Sequence, residues 1–313
     1  MAGAPLSPVH VDPAASRAKT RAALLSIVSN TFLIAIKVVA GTVTGSVAIL
    51  TEAMHSAIDL IASIVAFFSV RQADKPADED HPYGHEKVEN LAAAIEGLLI
   101  LVGSGVIAFE AIRRLAVGGE VDSLGFGIVV VGGSIVVNLA VSAFISHRAR
   151  EHDSPALEGD AAHLRTDAAT SVAVLGGLVL VQVTGETWLD SAVALVVACA
   201  IVVSGVRLLS RSSRVLVDEA LPQEELDAIR EIVTGFGTHG IAGFHKLRAR
   251  RAGSRRHVDM HVQFRAGTTL EDAHRTAHEI QDAIAERLAR VDVLIHLEPE
   301  DRVEPGTEIH PPD

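Results

Sequence analysis

Sulfur chemistry has almost nothing to work with in this chain, whose 313 residues include one cysteine, Cys199. A lone thiol excludes a disulfide framework and a thiolate metal cluster, and its place in an apolar run points to a packing role. Positive charge is also short, with 27 Lys and Arg against 39 Asp and Glu, a net charge of −12. That balance argues against a nucleic-acid partner. Before the first apolar run there is no apolar core of signal-peptide length. Residues 1–20, rich in Ala and Pro, therefore read as a disordered cytoplasmic tail in which His10 is incidental.

Apolar residues are abundant, at 49% of the chain with a mean hydropathy of +0.34. They crowd into residues 22–209, whereas residues 217–313 look water-soluble. Six segments are long enough to span a bilayer: 22–41, 47–70, 89–112, 124–146, 162–184 and 188–208. Lys and Arg gather beside the side holding both termini, as at Arg17, Lys19, Arg71, Lys87, Arg148 and Arg211, and the opposite loops offer mainly Arg113 and Arg114. The positive-inside rule puts both termini in the cytoplasm.

Beyond Arg214, Leu221–Glu225 opens a helix with acidic residues in its first turn. Strand-like runs follow at His245–Arg251 and His257–Arg265, joined at Ala252–Ser254. Thr269–Arg290 reads as an amphipathic helix and Val291–Leu297 as a last strand. The fold class is thus an α-helical membrane protein, with six transmembrane helices followed by a small cytoplasmic α-β-β-α-β domain of metallochaperone-like type. The expected divisions are a 1–20 tail, a 21–215 transmembrane domain, a 216–300 α/β domain and a flexible 301–313 end.

Ionisable groups at membrane depth cost roughly 2.5–3.5 kcal/mol each on insertion scales, so they are seldom idle. His55 and Asp59 stand four residues apart in the second span, and His163 and Asp167 repeat that spacing in the fifth. Each pair lies on one helix face, one turn apart. Two imidazoles and two carboxylates around one point suit a tetrahedral divalent ion, zinc foremost. Two carboxylates neutralise the ion while the imidazoles stay neutral, and an unperturbed histidine titrates at about 6.5, so metal and protons compete for the site.

Other polar residues in the spans have simpler expectations. Asn30 and Asn138 suit interhelical hydrogen bonds, and Glu52 and Asp190 sit near the outer mouth. Glu96 is a further acid at depth. Arg165 points away from the metal face, to snorkel or find a carboxylate. The pairs Gly132–Gly133 and Gly176–Gly177 permit close helix approach.

Two further clusters lie outside the spans. Asp78, His81 and His85 share the loop after the second span and can form a more exposed metal site. Glu86 beside His85 suggests a zinc-protease motif, but the histidine required four residues on is Glu89, so the match fails. In the soluble domain, His245, His261, His274 and His296 occupy separate elements, and Glu298 shares a strand face with His296. His239, His257 and His278 have no comparable pattern.

These features together resemble the cation diffusion facilitator family, in particular its bacterial zinc-exporting members, over residues 20–300. The resemblance rests on the six spans, the two H-x-x-x-D pairs, the D-x-x-H-P-Y-G-H-x-K loop and the trailing α/β domain with spaced histidines. It implies a homodimer in a bacterial inner or plasma membrane, exporting metal from the cytoplasm against inward protons, with residues 216–300 binding metal and dimerising. It implies a transport site at His55, Asp59, His163 and Asp167, and the His-Asp form of both pairs resembles members favouring zinc and cadmium. Asp78, His81 and His85 become the loop site. His245, His261, His274 and His296 become cytoplasmic ligands, with Glu298 where an aspartate is usual. Lys87 and Asp218 match a charged pair that locks the protomers. The histidine-rich loop of many animal members is missing, His147 and His152 being poor substitutes. Fe²⁺, Co²⁺ and Cd²⁺ remain rival cargoes, whereas Mn²⁺ prefers oxygen ligands. A membrane metallohydrolase would need an open coordination position and a general base, neither of which is evident, and a metal sensor would not need charges at depth.

Overall fold

A computed structural model describes residues 13–44, 47–117, 125–186, 188–303 and 309. The chain divides into two compact units, Met1–Ser213 and Arg214–Asp313. The first holds α1 (Pro13–Thr44), α2 (Val47–Ala73), α3 (Lys87–Val117), α4 (Gly125–Glu151), α5 (Pro155–Thr184) and α6 (Trp188–Leu216), whose last turn enters the second unit. Among the described residues, three stretches are both long and apolar enough to cross a membrane: Pro13–Ala40, Lys87–Arg113 and Ser191–Leu216. Leu60–Ala73 is a shorter apolar helix.

Several helices begin earlier than hydropathy suggests. α1 starts at Pro13, inside the stretch expected as a disordered tail, and α5 starts at Pro155 rather than 162. Buried pairing of the charges that mark the ends of the apolar runs explains the difference. Lys19, 4% exposed, places its ammonium 2.5 Å from Asp74 and 2.9 Å from Glu89. The other oxygen of Glu89 accepts a hydrogen bond from the Ser154 hydroxyl. One ionic knot thus joins α1, the end of α2, α3 and the turn before α5.

Alanine forms much of the bundle's interior. Ala22, Ala23, Ala62, Ala66, Ala93 and Ala161 are buried, and such small residues let helix backbones approach closely where lipid offers no hydrophobic drive. α6 packs tightly on α3 at Gly97, where an added Cβ would stand 3.0 Å from the backbone nitrogen of Leu209, and at Gly205, where it would stand 3.0 Å from Leu101 Cγ. The glycines singled out from sequence behave otherwise. At Gly132, Gly133 and Gly176 an added Cβ would meet nothing within 4 Å. Cys199 likewise faces outward instead of packing.

The second unit contains α7 (Gln223–Gly235), β1 (Ile241–Ala252), β2 (Arg255–Phe264), α8 (Leu270–Arg287) and β3 (Val291–Pro299). The sheet order is β1-β2-β3, antiparallel between β1 and β2 and parallel between β2 and β3. Val258, Met260, Val262 and Phe264 of β2 pack on Ile229 and Val233 of α7 and on Ile280 and Ile284 of α8. Thr269 caps α8, its hydroxyl accepting from the Asp272 amide. The alternate residues of the strands occupy the other face, which frees it for polar chemistry. Ile309, in the stretch expected to be flexible, is buried in this core, and its amide donates to the Ala242 carbonyl at 2.8 Å.

Candidate metal centres

The helical bundle holds the first candidate centre. His163 and Asp167 lie one turn apart on α5, Nε2 to Oδ2 3.9 Å, both largely withdrawn from the surface. His55 and Asp59 belong to α2, but their side chains lie outside the described residues, as do those of Glu52 and Asp190. The register between α2 and α5 is nevertheless fixed by residues that are described. The hydroxyl of Ser63 on α2 donates to Asp160 Oδ1 on α5 at 3.0 Å. Farther along, Val70 shares a buried cluster with Ala156 and Leu157, so numbers rise along α2 as they fall along α5. From Ser63, positions 59 and 55 are one and two turns along α2. From Asp160, positions 163 and 167 are one and two turns along α5 in the same direction.

Around Ser63 and Asp160 the bundle is polar. Ser26 of α1 donates to the same Asp160 oxygen at 2.9 Å, and Asn30 donates to Ser63 at 2.9 Å. Asn30 thus makes the interhelical bond expected of it. The Asn138 side-chain oxygen is buried with no hydrogen-bond partner among the described residues. Arg165 is turned outward and finds the Ser146 hydroxyl of α4 at 2.8 Å rather than a carboxylate.

The second centre is the loop between α2 and α3. Asp78 Oδ1 accepts the His81 backbone N–H at 2.7 Å and lies 3.2 Å from His81 Nδ1. Its Oδ2 stands 3.3 Å from His85 Nε2. Gly84, at φ +88°, turns the chain so that His85 folds back under His81, with ring centroids 4.4 Å apart. The His81 backbone N–H is the largest influence on Asp78 and holds its carboxyl below the ordinary value. Each of the three residues offers one donor atom within 4.8 Å of the others.

The third centre is built by sheet register. His245, His261 and His296 are cross-strand neighbours. Glu298, one pleat beyond His296, reaches His261 Nδ1 at 2.6 Å and His245 Nε2 at 2.9 Å. His296 stands at the margin, 3.9 Å from Glu298, with its ring 4.7 Å from that of His261. Burial pulls the Glu298 carboxyl upward, but hydrogen bonds from Gln263, His261 and His245 outweigh it and lower the group to about 2. His245, His261 and Glu298 offer donors within 4.8 Å of one another, a set of two imidazoles and a carboxylate that fits zinc.

His274 does not join this cluster. It lies on α8, exposed, with its Nε2 3.2 Å from that of His278. Sequence reasoning left His278 unassigned, although a histidine four residues away on a helix was the available signal. It also overlooked Gln263, which is fully buried and donates to Glu298 at 2.8 Å. The alternation that grouped His296 with Glu298 groups Gln263 with His261. Asp218 accepts from Arg250 at 3.1 Å within its own unit.

Comparison with known proteins places these sites in context. Residues 23–217 match the cation efflux transmembrane domain and residues 221–300 the cytoplasmic domain of cation efflux proteins. An uncharacterized transporter of Synechocystis sp. is 35% identical over 277 residues, covering 88% of this chain and 89% of that protein. The cation-efflux pump FieF of Citrobacter koseri is 32% identical over 283 residues, 90% of this chain and 93% of the pump. A solved structure of a putative zinc transporter, CzrB in its zinc form, is 34% identical over 28% of this chain and 98% of its own, with a TM-score of 0.27.

Proposed function

The chain belongs to the cation efflux family, integral membrane transporters rather than enzymes, and from that premise we propose a Zn²⁺/H⁺ antiporter that moves zinc out of the cytoplasm. All six long helices span the membrane, with both termini in the cytoplasm. His55, Asp59, His163 and Asp167 form the transport site. The observation that carries this reading is the Ser63–Asp160 hydrogen bond between α2 and α5. It supports a register in which position 59 is level with 163 and position 55 with 167.

The chemistry follows from the donor set. Two aspartates balance the charge of a divalent ion, so the loaded site is close to neutral and tolerable at depth. Protons arriving from outside convert the imidazoles to cations that repel the metal. Alternating exposure of the site then couples metal leaving to protons entering. The loop site and the cluster of His245, His261, His296 and Glu298 sample cytoplasmic zinc. Metal there would draw two protomers together, with Lys87 and Asp218 pairing across the dimer in place of the Asp218–Arg250 contact.

Zinc flux into proteoliposomes tests the reading. With a zinc dye inside and an imposed pH gradient, the wild type takes up zinc, collapse of the gradient stops it, and Asp167→Ala abolishes it. Uptake that ignores the gradient, or that survives in Asp167→Ala, contradicts the proposal. Running the assay with Cd²⁺, Co²⁺ and Fe²⁺ ranks the cargoes.

A further inference from the structure

Glu96 is the least explained side chain of the bundle. It is fully buried on α3, a helix that supplies none of the four proposed transport ligands, and neither carboxylate oxygen has a hydrogen-bond partner among the described residues. Its position is specific. An added Cβ at Gly159 would stand 3.2 Å from Glu96 Oε2, so the absence of a side chain there makes room for the carboxylate. The next residue, Asp160, is also fully buried. One of its oxygens accepts from Ser26 and Ser63, while Oδ2 has no partner among the described residues.

Glu96 and Asp160 thus leave three buried carboxylate oxygens without a donor among the described residues, where burying an unsatisfied polar group is costly. Asp160 recruits hydroxyls to one oxygen, whereas Glu96 has no donor on either oxygen among the described residues. We propose that Glu96 and Asp160 form a cation-binding station on the cytoplasmic side of the transport site, where a divalent ion is captured before it reaches His163 and Asp167. The location rests on the topology and transport site proposed above. Asp160 precedes His163 by three residues on the same face of α5, a rise of about 4.5 Å. Ser63 follows position 59 by one turn on α2, so the station is displaced the same way on both helices, toward the end of the bundle that holds Lys19, Asp74 and Glu89.

The donors also suit a transit role. Three carboxylate oxygens flanked by the hydroxyls of Ser26 and Ser63 make an all-oxygen set, which holds zinc less firmly than imidazole does. An ion would rest there and pass on to the nitrogen donors. Capture of a divalent ion balances in charge against the two carboxylates.

Initial rates of zinc uptake in the full chain test this, with Glu96→Gln as the main variant, because glutamine keeps the shape and hydrogen-bonding capacity of a protonated glutamate. The proposal expects KM for zinc to rise about tenfold with kcat retained, the pattern of lost binding before the chemical step. Asp160→Asn should show the same KM effect and stands in if Glu96→Gln does not fold. A wild-type KM in the folded variant, or a fall in kcat without a change in KM, overturns the station. Asp167→Ala, run alongside, separates the two ideas. An inactive Asp167→Ala with wild-type kinetics in Glu96→Gln rejects only the station, whereas an active Asp167→Ala rejects the transport site itself.

Discussion

Gln263 and Glu298 show how far a site depends on side chains beyond its ligands. Gln263 holds Glu298 Oε2 with its amide while His245 contacts the same oxygen, so the carboxylate is oriented before any ion arrives. Outer partners of this kind are worth 10–100-fold, roughly, in metal affinity. Gln263→Ala should weaken zinc binding to the cytoplasmic cluster by that order in calorimetric titration and leave the loop site unchanged. Glu298 also makes a pH prediction. Its carboxyl lies at about 2 against an ordinary 4.5, so its contribution to stability is complete above 4.5 and is lost as pH falls toward 2. Thermal melts of metal-free protein should fall across that window, and Glu298→Gln should flatten that part of the curve. Spacing and alternation group candidate residues in the sequence because strands and helices have fixed periods, and the structure brings Asp78 near His81 and His85, and His245 near His261 and Glu298. His274 stands apart from His245 and His261, exposed on α8 beside His278, because periodicity within α8 says nothing about the direction in which α8 faces the sheet.

Helix ends were the least legible elements. Hydropathy starts two spans at 22 and 162, yet Lys19 and Asp160 are carried inside the helices because partners from other helices meet them. Only tertiary structure supplies those partners. Glycine was similarly ambiguous. The adjacent pairs stand out in the sequence, whereas the isolated Gly97 and Gly205 make the close packing, against Leu209 and Leu101. Gly97→Ala should therefore lower the melting temperature of the detergent-solubilised protein, at a cost of about 1–3 kcal/mol for overpacking. Gly105, where an added Cβ meets nothing within 4 Å, is the control. Gly105→Ala should be neutral or gain up to about 1 kcal/mol from helix propensity. Lys19 makes a stronger case, since Lys19→Ala leaves Asp74 and Glu89 buried without their cation. Loss of one partner of a buried pair costs on the order of 3–5 kcal/mol, so this variant should melt earliest of the three.

At the scale of the whole molecule, the sequence separates into a membrane unit that moves the ion and a soluble unit that gathers histidines on one sheet face. The family membership and the two-unit plan were readable because apolar runs and strand alternation are strong, long-range patterns. The meeting of α2 with α5 was only inferable, and in the structure it is expressed by a hydrogen bond between Ser63 and Asp160. The central claim is that one ion is held at that crossing by side chains of both helices. Zinc content per protomer, measured on purified full-length protein after equilibration at saturating zinc, tests it directly. His163→Ala/Asp167→Ala should hold one zinc fewer than the wild type, and so should His55→Ala/Asp59→Ala, with no further loss when the pairs are combined. Unchanged zinc content in either double variant, or an additional ion lost on combining them, would contradict a single shared site.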